Sequence, residues 1–89
     1  VDIVSPLRAT FDRPAVLEND ADAAAVGEVY FGAGRGARSV VMLTFGTGVG
    51  SGVLIDGRIY RGAADTHPEL GHLPFDPAGP ECYCGVRGC

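Results

Sequence analysis

The carboxyl-terminal segment Glu69–Cys89 constrains the fold most, because it contains all three cysteines of the chain. The potential metal ligands are spaced as His72, nine residues, Cys82, one residue, Cys84, four residues, Cys89. Three thiolates and one imidazole complete a tetrahedral zinc shell and leave no position for water. We therefore predict a structural Zn²⁺ site formed by these four side chains, in which the metal fixes a loop and performs no chemistry.

The residues between the ligands favour a loop over a helix. Prolines and glycines in this stretch exclude a helix and promote a folded-back chain; they are Pro74, Pro77, Gly79 and Pro80. Such a loop has little apolar material, so a bound metal adds much of its stability. The alternative is three ordinary cysteines, two of them paired. The odd number argues against a disulfide framework, and a Cys-x-Cys pair is too close in sequence to bridge easily.

The composition is that of a globular protein with no basic surface for nucleic acid. The chain has 89 residues, of which 46% are apolar, and a net charge of −4. We therefore expect no contact with nucleic acid or an anionic membrane, and no apolar run approaches the roughly 20 residues of a membrane span. Thiols that bind metal suit a reducing compartment, so we expect a cytoplasmic protein. Because the sequence starts at Val1 and ends on the predicted ligand Cys89, we expect it to be a piece of a longer protein.

A helix with a marked start is predicted after residue 18. Asn19 is the expected N-cap, Asp20 and Asp22 place carboxylates in the first turn, and alanines follow. Asn19 and Asp22 have the spacing of a capping box. Gly32 or Gly34 can end the helix after about 12 residues.

The middle of the chain predicts an antiparallel meander. Three β-branched and apolar runs are expected to form its strands, namely Ser39–Phe45, Val53–Ile55 and Arg58–Tyr60. Asp56-Gly57 between the last two runs is a strong signal for a two-residue hairpin. Earlier, the apolar run Ala15–Leu17 is interpreted as the end of a buried strand, whereas residues 1–13 are weakly patterned. The middle of the chain is therefore expected to be an antiparallel meander preceded by a helix.

The segment Gly46–Gly52 carries four glycines at alternate positions between the first two predicted strands. Successive backbone N–H groups without side chains form a concavity for phosphate oxygens. A strand follows this loop where the known nucleotide fingerprints need a helix, so the pattern fits a hairpin that wraps a phosphate. We predict that Gly46, Thr47, Gly48 and Gly50 bind a nucleotide. The alternative is a flexible hairpin turn.

Asn19 and Asp20 lie where a helix begins, a position that favours an ionised carboxylate. Such a carboxylate suits a base that accepts the proton of a hydroxyl while the hydroxyl attacks a γ-phosphate. Asn19 can donate to and accept from a neighbouring hydroxyl. The alternative, which the spacing alone favours, is that both residues only cap the helix.

Glu69 and His72 lie three residues apart, just before the cysteines. If zinc fixes His72, it also fixes Glu69, and two rigid polar side chains suit the vicinal hydroxyls of a sugar. The other polar residues of these loops, His67, Asp65 and Asp76, are interpreted as solvated.

Several motifs occur together in a fixed order: ENDADAAAVGE, GAGRG, LTFGTGVGSG, DGRIYRGA, PELGH and CYCGVRGC. In this order they resemble the ROK family of repressors, open reading frames and sugar kinases, within the actin-like ATPase superfamily with its ribonuclease H-like fold. The likeness covers nearly everything from Glu18 to Cys89. It implies a fragment with residues 1–18 at the end of the first actin-like domain and residues 19–89 at the start of the second.

The resemblance also implies roles for individual residues. Asp20 takes the proton from the sugar hydroxyl, and Asn19, Glu69 and His72 hold the sugar hydroxyls together with it. The glycine loop from Gly46 lies by the phosphates of ATP. The chain departs from the family pattern at Asp22, Ser51 and Pro68, and it lacks the amino-terminal Asp-x-Gly-Gly-Thr hairpin.

The resemblance therefore implies an ATP-dependent, Mg²⁺-requiring kinase that phosphorylates a hexose or N-acetylhexosamine. This fragment alone is expected to be inactive. The full-length protein is expected to be a homo-oligomer, namely a dimer. The alternative within the family is a sugar-sensing transcriptional repressor whose DNA-binding head lies upstream of Val1. A third hypothesis, a zinc-stabilised interaction module without a ligand, leaves Asn19, Asp20 and the glycine loop unexplained.

Overall fold

A computed structural model describes residues 1–89 as an α/β chain. In order along the sequence, the elements are α1 (Val4–Phe11), α2 (Asp20–Phe31), β1 (Val40–Phe45), β2 (Val49–Ile55), β3 (Arg58–Ile59) and a 3₁₀ turn (Leu70–His72). Neither α-helix is both long enough and apolar enough to cross a membrane.

Helix α1 forms in the weakly patterned amino-terminal segment, where no element was predicted. The Asp2 carboxylate accepts hydrogen bonds from the backbone N–H groups of Val4 and Ser5, each at 3.1 Å, and Asp12 ends the helix in the left-handed conformation. No residue of α1 is buried. The helix is therefore defined by its ends, and its apolar residues Val4, Leu7 and Phe11, although spaced as one helical face, are not buried.

The predicted strand end at Ala15–Leu17 is wrong. This segment has no regular secondary structure, and the side chains of Val16 and Leu17 are 86% and 69% exposed. A strand requires a hydrogen-bonded neighbour, and the three strands of the sheet pair only with one another.

Helix α2 confirms the predicted helix and its cap. The Asn19 Oδ1 atom accepts hydrogen bonds from the N–H groups of Ala21 at 2.9 Å and Asp22 at 3.1 Å. The predicted capping box is only half present, because the Asn19 N–H donates to the Glu18 carboxylate at 3.0 Å. The Asp22 carboxylate is bonded instead to His67.

The three strands form an antiparallel sheet in the order β1-β2-β3. Val40 pairs with Leu54 and Phe45 with Val49, so β2 begins four residues earlier than predicted. Asp56 and Gly57 connect β2 to β3 with φ of 51° and 75°, the left-handed pair that a tight hairpin requires.

Helix α2 packs on one face of this sheet at very short range. A Cβ atom at Gly52 would lie 2.5 Å from the Ala21 carbonyl oxygen and 2.8 Å from the Ala25 Cβ. The buried apolar core consists of Ala21, Ala25 and Leu54. Glycine at position 52 therefore sets how closely the beginning of α2 approaches β2.

The opposite face of the sheet is apolar and uncovered. Val41, Leu43 and Phe45 alternate along β1 and are 61%, 47% and 79% exposed. The core is built on one face only, and that face positions the site described below.

Candidate functional site

One open cleft of about 820 Å³ is lined by most of the residues that were predicted to bind a ligand or take part in catalysis. Asp20 enters it from the start of α2, Gly46–Gly50 from the β1–β2 connection, and Glu69 and His72 from the 3₁₀ turn. Its volume lies within the range of small-molecule sites. The structure therefore brings the predicted base, the predicted phosphate loop and two predicted sugar ligands together.

Asn19 does not line this cleft. It lines an adjoining pocket of about 540 Å³ with Glu18, Arg61 and His67. Its side-chain oxygen accepts the two backbone N–H groups of the helix cap. Of the four predicted sugar ligands, Asn19 is therefore the one that the structure places apart.

The glycine segment divides into a turn and a strand. Gly46 and Gly48 lie in the turn, where the Gly46 N–H donates to the Gly48 carbonyl oxygen at 2.9 Å. Gly50 and Gly52 lie in β2, and a Cβ at Gly50 would come within 2.6 Å of the Thr44 hydroxyl. Close packing thus explains the glycines at 50 and 52, and the exposed turn is the part with backbone groups available for a phosphate.

The turn that carries Glu69 and His72 rests directly on the start of β2. The His72 N–H donates to the Glu69 carbonyl oxygen at 3.0 Å. A Cβ at Gly71 would lie 2.1 Å from the Val49 carbonyl oxygen, so only glycine permits this approach. Glu69 is exposed at the cleft.

The predicted zinc ligands converge. The ligand atoms of His72, Cys82, Cys84 and Cys89 all lie within 4.8 Å of one another. The His72 Nδ1 atom is 3.5 Å from the Cys82 Sγ, and the Cys84 and Cys89 Sγ atoms are 3.5 Å apart. Bond lengths of about 2.0 Å to nitrogen and 2.3 Å to sulfur give tetrahedral edges of about 3.5–3.8 Å. The donor set and its spacing therefore fit Zn²⁺.

The loop around these ligands is tightly folded by backbone contacts. The Cys82 N–H donates to the Val86 carbonyl oxygen at 2.9 Å. Gly88 has a φ of 73°, and a Cβ there would lie 1.7 Å from the Asp76 carbonyl oxygen. This close crossing of two segments positions Cys89 beside the other thiols.

The thiols differ in acidity. A hydrogen bond from the Val86 backbone lowers the pKa of the Cys84 thiol, whereas burial raises the pKa of the Cys89 thiol to about 11. A metal that binds all four ligands must therefore displace the proton of Cys89.

Tyr83 is a cleft residue that the sequence reasoning missed. Its hydroxyl lies 2.9 Å from the His72 Nε2, and the two rings stack edge to face with centroids 5.1 Å apart. His72 thus directs Nδ1 towards the thiols and Nε2 towards the cleft. The position of Tyr83 between two predicted ligands was the available signal, because fixing Cys82 and Cys84 also fixes the residue between them.

A second polar cluster beside the cleft was also missed. The ligand atoms of Glu18, Asp22 and His67 lie within 4.8 Å of one another, and Arg61 is ion-paired with Glu18. A hydrogen bond from the Asn19 N–H, assisted by Arg61, lowers the pKa of the Glu18 carboxyl.

The interpretation of His67 as a solvated residue is wrong, because its ring is bonded to the fully buried carboxylate of Asp22. The same interpretation is confirmed for Asp65 and Asp76, which are exposed. The two partners of the His67–Asp22 contact lie 45 residues apart in sequence, so local pattern gave no sign of it.

Comparisons with known proteins identify the family of the chain. The model of the ROK family matches residues 1–89. A glucokinase of Thermotoga maritima is 52% identical over 73 residues, which cover 82% of this chain and 23% of the relative. A xylose repressor of Bacillus spizizenii is 39% identical over 89 residues, which cover 100% of this chain and 23% of the relative.

A solved structure extends the likeness to the fold. The crystal structure of a ROK family glucokinase from Streptomyces griseus in complex with glucose and AMPPNP superposes with a TM-score of 0.83 at 41% identity, over 98% of this chain and 28% of that one. The chain spans about a quarter of the length of the curated relatives named above. It belongs to the ROK family and has the α/β, actin-like ATPase fold of that family's sugar kinases.

Proposed function

We propose that the protein of which this chain is a part is an ATP-dependent sugar kinase that phosphorylates a hydroxyl of a hexose or N-acetylhexosamine. The observation that carries this proposal is the cleft in which Asp20, Glu69, His72 and the glycine turn meet. The similar glucokinases, one of them solved with glucose and AMPPNP, support the same chemistry.

The roles follow from the position of each group. Asp20 is the base that accepts the proton of the attacking sugar hydroxyl, and Glu69 and His72 hold neighbouring hydroxyls. Backbone groups of the Gly46–Gly48 turn face the phosphates of ATP. Phosphoryl transfer depends mainly on positioning and on neutralising charge, to which Mg²⁺ contributes when ATP is bound. Asn19 lines the adjoining pocket and its oxygen already caps α2, so its side-chain NH₂ group is the part available to a sugar hydroxyl.

The proposed zinc site has a structural role and takes no part in phosphoryl transfer. When bound, Zn²⁺ holds His72 and the loop to Cys89 in place, which fixes the turn that carries Glu69. We further propose that residues 1–18 end one actin-like domain and residues 19–89 begin the next, that this piece alone does not turn over sugar, and that the full-length protein is a cytoplasmic homodimer.

A sugar-responsive transcriptional repressor is the second candidate. The xylose repressor aligns over all 89 residues, whereas the glucokinase aligns over 73. In this case the same cleft binds a sugar, and a part of the protein outside this chain contacts DNA. The net charge of −4 gives this chain no basic surface for that contact.

A coupled ADP-release screen of the full-length protein separates the two candidates. The substrates are glucose, mannose, fructose, N-acetylglucosamine and N-acetylmannosamine. A kinase turns over at least one of them, and Asp20→Asn keeps sugar binding while it abolishes phosphoryl transfer. Near-normal turnover by Asp20→Asn would remove Asp20 from the base role, and sugar binding by the wild type without any ADP release would favour the repressor.

A further inference from the structure

The side chain of Ser51 bonds to the backbone on both sides of Glu69. Its hydroxyl donates to the Pro68 carbonyl oxygen and accepts from the Leu70 N–H at 3.1 Å. Ser51 lies in the middle of β2 and is 5% exposed. The two peptide units that flank Glu69 are therefore tied to the sheet through one buried hydroxyl.

This attachment replaces regular secondary structure. Residues 60–69 contain no helix or strand, and Pro68 has no N–H to donate. The buried hydroxyl has a partner both as donor and as acceptor, and its removal leaves a carbonyl oxygen and an N–H without partners. Ser51 thus fixes the backbone at Glu69, the residue of this segment whose carboxylate lines the cleft.

A second attachment lies two residues before Glu69. His67 is bonded through Nδ1 to Asp22, whose side chain is fully buried and whose Oδ1 has no hydrogen-bond partner. Asp22 lies on α2, two residues after Asp20. A buried carboxylate with one partner depends strongly on that partner, so this pair ties the Glu69 segment to the helix that carries the proposed base.

The cluster is better described as a pair of side-chain contacts than as a cation site. Glu18, Asp22 and His67 have the donor types of a divalent metal site. However, the Arg61 guanidinium already pairs with Glu18, and a positive charge beside the cluster disfavours a second cation. The two carboxylates therefore have separate partners, Arg61 for Glu18 and His67 for Asp22.

We propose that Ser51 and the Asp22–His67 pair are positioning residues that hold the Glu69 carboxylate in the cleft, at a fixed distance from Asp20. The role of Glu69 as the group that binds a sugar hydroxyl rests on the proposed function. The attachment of the Glu69 segment to β2 and α2 is independent of the proposed function.

The kinetic test uses Ser51→Ala in the full-length protein, with Ser39→Ala as the matched control at an exposed serine outside the cleft. We expect the KM for sugar to rise about tenfold, with kcat within about threefold and the KM for ATP unchanged. Ser51→Thr, which restores the hydroxyl, recovers most of the loss. In a Glu69→Gln background, Ser51→Ala has no further effect on the KM for sugar, because Ser51 acts through Glu69. Additive effects, or equal effects of Ser51→Ala and Ser39→Ala, would overturn the proposal.

A second measurement needs no substrate and so separates this proposal from the proposed function. Native-state hydrogen exchange of the Leu70 amide should accelerate about tenfold or more in Ser51→Ala. Asp22→Asn and His67→Gln should accelerate exchange of the hydrogen-bonded His67 and Leu70 amides even if the serine variant folds poorly. Unchanged exchange in these variants contradicts the attachment, whereas altered exchange in a protein that phosphorylates no sugar leaves the attachment correct and the proposed function wrong.

Discussion

Substituting alanine at Gly52 should move the proposed catalytic base without touching the cleft. The added Cβ would lie 2.5 Å from the Ala21 carbonyl oxygen, where ordinary contacts begin at 3.4 Å, so the start of α2 must retreat by about 0.9 Å. Overpacking of this kind costs about 1–3 kcal/mol of the free energy of unfolding. Asp20 precedes Ala21 and moves with it, and a displacement of about 1 Å at a reacting group can reduce the rate about a hundredfold.

Gly27→Ala is the matched control, because Gly27 lies on the same helix and a Cβ there meets nothing within 4 Å. It should stabilise the protein by up to about 1 kcal/mol through helix propensity and leave kcat unchanged. The assays are chemical denaturation for the free energy of unfolding and ADP release at saturating sugar and ATP for kcat. Equal stability and kcat in the two variants would refute the claim that the approach of α2 to β2 sets the position of Asp20.

Two further predictions concern the metal loop and pH. Elemental analysis of the purified full-length protein should find one equivalent of zinc per chain in the wild type and well below one in Cys84→Ser, and full occupancy in the variant would contradict the ligand assignment. Zinc must displace the proton of Cys89, whose pKa burial raises to about 11. Zinc retention by the wild type should therefore weaken as pH falls. The pKa of Glu18 is lowered from its usual 4.5, chiefly by the Asn19 N–H, so its contribution to stability is complete above about pH 4.5 and is lost as pH falls through the lower folded value. Glu18→Gln should remove that part of the acid dependence in denaturation curves measured between about pH 3 and 6, and an unchanged pH profile would contradict it.

The sequence was sufficient where structure depends on local signals. The Asn19 cap and the acidic first turn predicted α2, and Asp56-Gly57 predicted the β2–β3 hairpin. These features depend on residues within a few positions of one another. The cluster of His72, Cys82, Cys84 and Cys89 was also predictable, because the spacing and chemistry of these residues define the set without knowledge of the fold.

Sequence reasoning failed where a residue's conformation depends on distant partners. Gly50 and Gly52 are poor strand formers by propensity, yet both lie in β2 because β1 pairs with them and α2 needs the space. That requirement also accounts for part of the glycine pattern, for which the sequence favoured phosphate binding over a flexible hairpin turn. The beginning of β2 was therefore predicted too late.

The three departures from the family pattern turn out to be connected in space. Asp22 is bonded to His67, and Ser51 is bonded to the Pro68 carbonyl oxygen. The sequence showed that these positions were unusual, but their partners lie 45 and 17 residues away. Their common contact with the segment that carries Glu69 could be recognised only from the structure.

Sugar binding with and without zinc tests the central claim most directly, namely that a metal-fixed turn and the start of α2 together form a sugar site. The measurement is calorimetric titration with the sugar identified in the ADP-release screen. Three samples of the full-length protein are compared: zinc-loaded, zinc-stripped and reloaded. We expect the Kd to rise at least about tenfold on stripping and to recover on reloading. Equal affinity in all three samples would contradict the claim.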